Sequence, residues 1–143
     1  MIKNNDIVGY ENTGDFKGAV LEDSLKIFAK KAMIELVKLP NKKKITKKAL
    51  PSTIDYGADK IIHILIKGKA SELNELSPKQ NMIIKPLYLF LDEEVLLYAK
   101  LKNLKFKYGN PKKDKISLFI GGLEKKHPEI KRAIVNSYLE LYD

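Results

Sequence analysis

The sequence contains no cysteine among its 143 residues. Without a thiol, the chain itself cannot form disulfides, hold zinc or an iron–sulfur cluster through thiolates, or supply a cysteine nucleophile. It also lacks an apolar run of the roughly 20 residues that cross a bilayer, and its N-terminus, Met-Ile-Lys-Asn-Asn-Asp, does not begin an apolar signal segment. We therefore expect a cytoplasmic protein without a membrane segment.

Motifs that bind phosphates or metals are missing as well. None of the eight glycines has the spacing of a dinucleotide-binding or Walker loop, and Gly121-Gly122 stands alone within a helical pattern. The chain has two histidines, His63 and His127, and no acid lies near either with metal-ligand spacing. A structural role is favoured for both, so we expect no catalytic residue and no metal site.

Positive charge is abundant, although arginine is not. The chain has 27 Lys and Arg residues against 18 Asp and Glu, for a net charge of +9, and Arg132 is its one arginine. Such a surplus suits a polyanionic partner, because lysines that contact phosphates release condensed counterions. An AT-rich genome or a thermophilic source produces a similar composition, so contact with nucleic acid stays open on charge alone.

Two basic stretches are the most typical of nucleic-acid binding. In one of them Phe106 and Tyr108 alternate with lysines, so that aromatic rings are available to stack on bases while lysines contact phosphates. The alternative is a solvated loop without a partner. The candidate RNA-binding residues are Lys42, Lys43, Lys44, Lys47, Lys48, Lys105, Phe106, Lys107, Tyr108, Lys112 and Lys113.

Apolar residues at three- and four-residue spacing predict an amphipathic helix over Leu21–Leu39, ended by Pro40, and a second helix from Ile54 to Gly68. The other predicted elements are a short strand at Asp6–Tyr10, a short strand at Ile45–Leu50, a polar connection over 70–80 with a turn at Ser77-Pro78, a buried strand over Met82–Phe90, a helix from Asp92, a basic loop over 105–115 that includes Asn110-Pro111, and two closing helices at Ile116–Lys126 and Pro128–Tyr142.

The alternation of strand and helix signals is typical of βαβ units. We predict an α/β fold: a partial Rossmann-like parallel sheet flanked by helices, followed by C-terminal helices. The length fits a single domain over 1–143. Within it we expect a loosely structured entry segment at 1–20, an α/β core at 21–104, and the basic loop and C-terminal helices at 105–143.

Two acids of the second predicted helix form a further candidate. Asp55 and Asp59 lie four residues apart and therefore on one helix face, which suits a shared cation or a nucleotide contact. The alternative is a pair of solvated acids balanced by Lys60 and Lys67.

Five segments in order carry a resemblance to a known family. They read Leu-Pro-Ser-Thr-Ile-Asp-Tyr-Gly-Ala-Asp at 50–59, Leu-Ile-Lys-Gly at 65–68, Ile-Lys-Pro-Leu at 84–87, Glu-Val-Leu-Leu-Tyr-Ala at 94–99 and Leu-Glu-Lys-Lys-His-Pro-Glu-Ile-Lys at 123–131. Their order and spacing resemble the C-terminal half of the PP-loop ATPases that thiolate tRNA, the 2-thiocytidine and 2-thiouridine synthetase family. The resemblance implies an adenine nucleotide alpha hydrolase-like fold and a history in tRNA modification.

The chain departs from the family pattern at the catalytic elements. The Ser-Gly-Gly-x-Asp-Ser loop that holds ATP phosphates in the family is expected before the matched region, and the chain has no such sequence. Both cysteine pairs are missing, near residue 24 and after Phe106, and Tyr56 replaces the second acid of the family's acidic pair. The resemblance therefore implies a degenerate relative that is not an enzyme on its own, needs no cofactor, and binds tRNA, another RNA or a protein partner.

Two alternatives remain. The chain is one half of a split enzyme whose phosphate loop lies on a PP-loop-bearing protein partner; Asp55 would then contact an Mg²⁺-bound ATP, and Lys85 a phosphate or the tRNA. Otherwise it is a small interaction protein with an incidental charge surplus.

Overall fold

The computed structural model describes residues 2–77, 82–109 and 112–142. Pro78 of the predicted turn and the Asn110-Pro111 part of the basic loop lie outside the described residues. In chain order, the elements are β1 Ile7–Tyr10, α1 Phe16–Lys31, β2 Glu35–Lys38, β3 Lys47–Ala49, α2 Ile54–Ile66, a 3₁₀ helix Ala70–Leu76, β4 Ile83–Ile84, α3 Asp92–Leu101, α4 Lys115–Lys126 and α5 Ile130–Tyr142.

The four strands form a parallel sheet in the order β2-β1-β3-β4. Val8 of β1 lies opposite Leu36 of β2 on one side and opposite Lys47 of β3 on the other. The strand that follows β1 in the chain, β2, lies on one side of it, and the next strand, β3, lies on the other side. The strand order therefore reverses at the carboxyl ends of β1 and β3. Open α/β sheets bind ligands at such a point. The predicted α/β fold is confirmed.

Two apolar cores surround the sheet. The first joins the strands to α1 and α3, and its buried members include Val8, Leu21, Leu25, Val95 and Ala99. The second lies among α2, the 3₁₀ helix and α5, and its buried members include Ile54, Ala58, Leu73, Val135 and Tyr138. The C-terminal helix α5 therefore packs against α2.

The predicted helix over Leu21–Leu39 is wrong at both ends. Helix α1 starts at Phe16 and ends at Lys31, and Ala32 already has extended backbone. Residues Glu35–Lys38 form β2 instead, where only Val37 is buried. The apolar side chains of this segment have helical spacing, which explains the wrong prediction. Pairing with β1 satisfies the backbone hydrogen bonds of these residues in an extended conformation, which favours a β-branched residue such as Val37.

Residues 1–20, expected to be a loosely structured entry segment, instead contribute the inner strand β1 and the first turn of α1. Val8 and Tyr10 are buried in the first core. The polar and glycine residues on either side of β1 suggested a loose segment, because a strand of four residues carries little pattern and does not indicate that it is an inner strand. The predicted strand at Asp6–Tyr10 is confirmed.

The predicted strand over Met82–Phe90 is reduced to Ile83–Ile84, followed by turns. Pro86 has no N–H to donate to a sheet, which explains why pairing stops before it. Leu87 and Tyr88 are nevertheless buried, in the first and second cores respectively. Their hydrophobicity reflects core packing in a turn, rather than a longer strand.

Candidate functional site

Three helices begin at the carboxyl edge of the sheet. Helix α1 follows β1 and is capped by the Asp15 side chain, which accepts the N–H of Gly18. Helix α2 follows β3 and is capped by Thr53, and α3 follows β4, with the Glu94 carboxylate accepting the Leu91 N–H at 3.0 Å. Helix N-termini attract anions, so this edge is the first place to examine for a ligand site.

Five side chains bridge these helices and form what we call the carboxyl-edge network: Lys17, Thr53, Asp55, Asp92 and Lys131. Thr53 is fully buried and donates its hydroxyl to Asp92 at 2.5 Å. The Asp92 N–H donates to Asp55 at 2.8 Å, and the second Asp55 oxygen accepts from Lys131 at 2.6 Å. Lys17 lies 3.8 Å from the second Asp92 oxygen. Each of the four carboxylate oxygens therefore faces a protein donor.

Burial affects the ionisation of this network in opposite directions for acid and base. Burial raises the pKa of Asp92, and the nearby Asp55 charge raises it further, against the lowering effect of the Thr53 hydrogen bond. Burial alone would lower the pKa of Lys131, but its hydrogen bond and ion pair with Asp55, together with Glu124 at 3.3 Å, outweigh burial and raise it. Asp55 is thus engaged as the partner of a shielded lysine.

The loop between β1 and α1 is closed on itself. The Asp15 carboxylate accepts from the Thr13 hydroxyl at 2.6 Å and from the Gly18 N–H at 2.9 Å. A Cβ added at Gly18 would lie 2.7 Å from the Thr13 backbone nitrogen, so only glycine fits this close approach.

A later segment of the chain also covers this loop. The Lys107 N–H donates to the Gly14 carbonyl at 2.8 Å. The Phe106 ring packs edge-on to Phe16, with 6.3 Å between centroids, and joins the first core. Residues 104–108 therefore lie over the start of α1.

Lys85, the second candidate nucleotide contact, lies just after β4. Its ammonium donates to the Leu76 carbonyl at 3.2 Å and lies 5.8 Å from the centre of the Tyr88 ring. Burial lowers the pKa of Lys85. The structure therefore places it between β4 and the 3₁₀ helix, apart from the contacts of Asp55.

The structure does not bring the two basic stretches together. Lys43 pairs with Glu35, at the amino end of β2, and the neighbouring Thr46 hydroxyl donates to Asp6, just before β1. Residues 105–108 lie instead at the carboxyl edge, beside the Gly14 carbonyl. Lys42, Lys43 and Lys44 are exposed, whereas Lys47 and Lys48 are half-buried in β3. Lys48 pairs with Glu11 at 3.3 Å.

At the carboxyl edge, Tyr108 is 75% exposed and its ring lies 4.8 Å from that of Phe106. Lys105 and Lys107 are exposed on either side of Phe106. We call Lys105, Lys107 and Tyr108 the 105–108 surface. An exposed ring supported by a second ring, with exposed lysines nearby in the sequence, is able to stack on a base while the lysines contact phosphates.

A further polar cluster was missed by sequence reasoning. His63 of α2 lies 2.5 Å from the carboxylate of Asp114, which also caps α4 through the Ser117 N–H. Asp59 accepts the Ser117 hydroxyl at 2.7 Å. The expected pairing of Asp59 with Asp55 is thus replaced by a contact with α4. The local sequence indicated one part of this cluster: Asp114 lies three residues before Ser117, the spacing at which an acid caps the N-terminus of a helix.

The described residues contain neither a metal-binding cluster nor a membrane-spanning helix. Within 2–77, 82–109 and 112–142, no group of three or more His, Asp or Glu side chains is arranged to hold a metal ion. In that same part of the chain, no helix is both long and apolar enough to cross a membrane.

Comparison with known proteins gives a structural match. No protein-family model matches the sequence, and no curated protein matches it. Among solved structures, the chain is similar to the U34-tRNA thiolase NcsA from Methanococcus maripaludis with its [4Fe-4S] cluster, at a TM-score of 0.74 and 18% identity, over 98% of this chain and 73% of that chain. At this identity the match shows a shared fold, so the predicted parallel sheet flanked by helices is one that the chain has in common with a tRNA thiolase.

Proposed function

We propose that this protein is a non-catalytic relative of the tRNA-thiolating PP-loop ATPases that binds RNA, with tRNA as the first candidate. The observation that carries the proposal is the closed loop between β1 and α1. Doubly wound folds bind phosphates at the first βα turn, where the backbone approaches the ligand and the helix N-terminus faces it.

The residues of that loop do not fit a phosphate. In the family that the sequence resembles, a Ser-Gly-Gly-x-Asp-Ser loop holds the ATP phosphates, whereas the βα turn after the inner strand β1 reads Glu-Asn-Thr-Gly-Asp-Phe over 11–16. The Asp15 carboxylate already accepts the Gly18 N–H, and Glu11 pairs with Lys48. A phosphate entering here would meet the Asp15 carboxylate at the helix N–H that it needs, and the covering segment 104–108.

The cofactors implied by the resemblance and by the matched structure meet similar obstacles. The four oxygens of Asp55 and Asp92 are engaged with protein donors, so Mg²⁺ bound to ATP would have to displace Lys131 or Thr53. Iron–sulfur clusters are held by cysteine thiolates, and this sequence has no cysteine. The residues of this chain therefore do not supply the groups for adenylation or for sulfur transfer through a thiolate-bound cluster.

The 105–108 surface supports RNA binding in place of catalysis. It presents the exposed Tyr108 ring, packed against Phe106, with exposed lysines at 105 and 107, at the edge where such a fold is expected to receive its ligand. The net charge of +9 strengthens attraction to a polyanion. A tRNA ligand agrees with the cytoplasmic location expected from the sequence.

The split-enzyme alternative is less well supported. A partner's phosphate loop would need the place at the carboxyl end of β1, which the chain's own loop and α1 already fill. No observation on the described residues favours it over a non-catalytic role.

The test is a pair of titrations on the full chain. Fluorescence anisotropy with labelled tRNA at several salt concentrations should give an affinity that falls steeply with salt. Lys105→Gln/Lys107→Gln should reduce the slope of log affinity against log salt by about one to two. The control Lys30→Gln/Lys31→Gln removes the same charge at the opposite end of α1 and should leave the slope nearly unchanged.

Hydrolysis of ATP by the protein with Mg²⁺ and tRNA would overturn the proposal. Hydrolysis that appears only with a co-purifying PP-loop protein would establish the split enzyme instead. Absence of tRNA binding even at low salt would leave the small interaction protein as the explanation of the charge surplus.

A further inference from the structure

A polar cleft of about 520 Å³ lies between α2, the 3₁₀ helix and the start of α4. It is separate from the carboxyl-edge network and shares no residue with it. A cavity of this size is in the range that accommodates a nucleotide-sized ligand. Its charged and polar lining residues are Asp59, Lys60, His63, Lys67, Lys69, Glu72, Lys112, Asp114 and Ser117.

The acids of the cleft are largely neutralised by contacts within the protein. Asp114 accepts from His63 and from the Ser117 N–H, and Asp59 accepts from the Ser117 hydroxyl. Glu72 lies 3.8 Å from Lys69. These carboxylates are therefore held in place by donors and offer less repulsion to an anion than unpaired acids would.

His63 carries a positive charge in this arrangement. Its Nδ1 lies 2.7 Å from the Asp59 carbonyl oxygen, and its Nε2 lies 2.5 Å from the Asp114 carboxylate. Both partners are acceptors, so both ring nitrogens must carry a proton. In agreement, the hydrogen bond that His63 donates to Asp114 and its bond to the Asp59 backbone carbonyl raise the pKa of His63.

The lysines give the cleft its positive surplus. Four lysines and the His63 imidazolium line it, against three carboxylates. The Lys60 ammonium lies 5.6 Å from the centre of the Tyr56 ring, and Lys69 is shared with Glu72. Lys67 and Lys112 show no ion pair with any residue of the described ranges. Both lysines line the cleft, Lys67 at the end of α2 and Lys112 in the segment before α4, and both are exposed and therefore accessible to a ligand.

We propose that this cleft binds a phosphate group, supplied either by a mononucleotide or by a phosphorylated RNA end. Lys67 and Lys112 pair with the phosphate oxygens, because charge-assisted bonds from ammonium groups are the strongest contacts that these residue types offer to such an anion. Among the described lining residues Ile64 alone is apolar, which suits a polar ligand better than a hydrophobic one. The proposal does not depend on RNA binding at the 105–108 surface.

The two histidines make a direct test available. His63 and His127 are the only imidazoles of the chain, so their ring signals are readily assigned by NMR. Inorganic phosphate and AMP, added at constant ionic strength, should shift the His63 signal saturably and leave the His127 signal nearly unmoved. Adenosine, which lacks the phosphate, should shift neither.

The double variant Lys67→Gln/Lys112→Gln should weaken binding of AMP roughly tenfold or more, as expected for the loss of charge-assisted bonds. The control Lys125→Gln/Lys126→Gln removes the same charge at the other end of α4 and should bind like the parent. An unchanged His63 signal in the ligand-free double variant shows that the cleft still folds.

The source of the phosphate is decided by a further pair of ligands. A short RNA with a 5′-phosphate that saturates the His63 shift at a lower concentration than AMP identifies an RNA end, and the reverse identifies a mononucleotide. No saturable shift from any phosphate, or equal weakening by both double variants, would overturn the proposal. A protein whose tRNA affinity depends on Lys105 and Lys107 but not on Lys67 and Lys112 would not bear on the phosphate site. The two proposals can therefore fail separately.

Discussion

The carboxyl edge of the sheet and the cleft beside α4 both combine acids with lysines, but they use them differently. At the sheet edge, Asp55 and Asp92 are saturated by donors from three helices. In the cleft, the acids are satisfied while Lys67 and Lys112 are left facing the cavity. The pairing of the charges within the protein, and not their number, therefore decides which of the two regions is able to accept an anion. Four variants test the contrast.

The largest effect is expected at the sheet edge. Asp55→Ala removes the partner of Lys131, whose side chain is 15% exposed, and leaves the Asp92 N–H without its acceptor. We expect a loss of about 2 kcal/mol in the free energy of unfolding, measured by urea denaturation. Glu140→Ala, on the exposed face of α5, is the control and should change it little. A loss no greater than the control's would show that the network does not stabilise the fold.

A smaller loss is expected where the loop approaches α1. Gly18→Ala places a Cβ against the Thr13 backbone, at 2.7 Å from its nitrogen. The clash should outweigh the better helix propensity of alanine and cost about 1 kcal/mol.

Gly122→Ala is the matched control within α4, where an added Cβ meets nothing within 4 Å. It should stabilise the protein by up to about 1 kcal/mol. Two changes of the same sign would mean that the β1–α1 loop is not as tightly closed as its geometry implies.

The cleft should make stability depend on pH. The pKa of His63 is raised above its ordinary 6.5, so the stabilisation from its contact with Asp114 is complete below about pH 6.5 and is lost as pH rises through the raised value. The pKa of Asp114 is lowered by His63, so its contribution is present above 3.8 and is lost only in stronger acid.

The free energy of unfolding should therefore fall as pH increases above 6.5, and His63→Gln should remove this part of the pH dependence. His127→Gln should retain it. A pH profile that is identical in all three proteins would rule out the His63–Asp114 pair as its source. The other charged groups facing His63, namely Asp59, Lys60, Lys67, Lys69, Glu72 and Lys112, are unchanged in both variants.

The smallest effect is expected away from both regions. Lys43 pairs with Glu35 at the amino end of the sheet, and both side chains are about half exposed. Because exposed ion pairs contribute little, Lys43→Gln should change the free energy of unfolding by less than about 0.5 kcal/mol. A larger loss in urea denaturation would mean that the amino edge is also a structural charge network.

The sequence predicted helices better than strands. Helix α2 and the two C-terminal helices have long apolar periodicities, and their positions were predicted to within a few residues. Strand β3, Lys47–Ala49, lies within the short strand predicted at Ile45–Leu50, but its Lys-Lys-Ala sequence did not indicate an inner strand paired with β1 on one side and β4 on the other. Short strands gain their stability from neighbours distant in sequence, which local patterns do not contain.

The candidate sites show the same limit. Asp55 was identified from its place at a helix start, but its partner Lys131 is 76 positions away and was not predicted. Likewise, the Asp114 carboxylate that contacts His63 is 51 positions away in the sequence and was not predicted as its partner. In both cases the residue type was visible in the sequence, while its ionisation and its availability depended on long-range contacts.

The sequence by itself determined the α/β class, the absence of thiol chemistry, the surplus of positive charge and the resemblance that pointed to the tRNA-thiolating ATPases. Each of these depends on composition or on motifs within one segment. Only the tertiary structure decided that β1 is an inner strand, that its loop is closed, and that the lysines around His63 share one cleft. These properties arise from hydrogen bonds and packing between distant segments, because only folding fixes which charges meet.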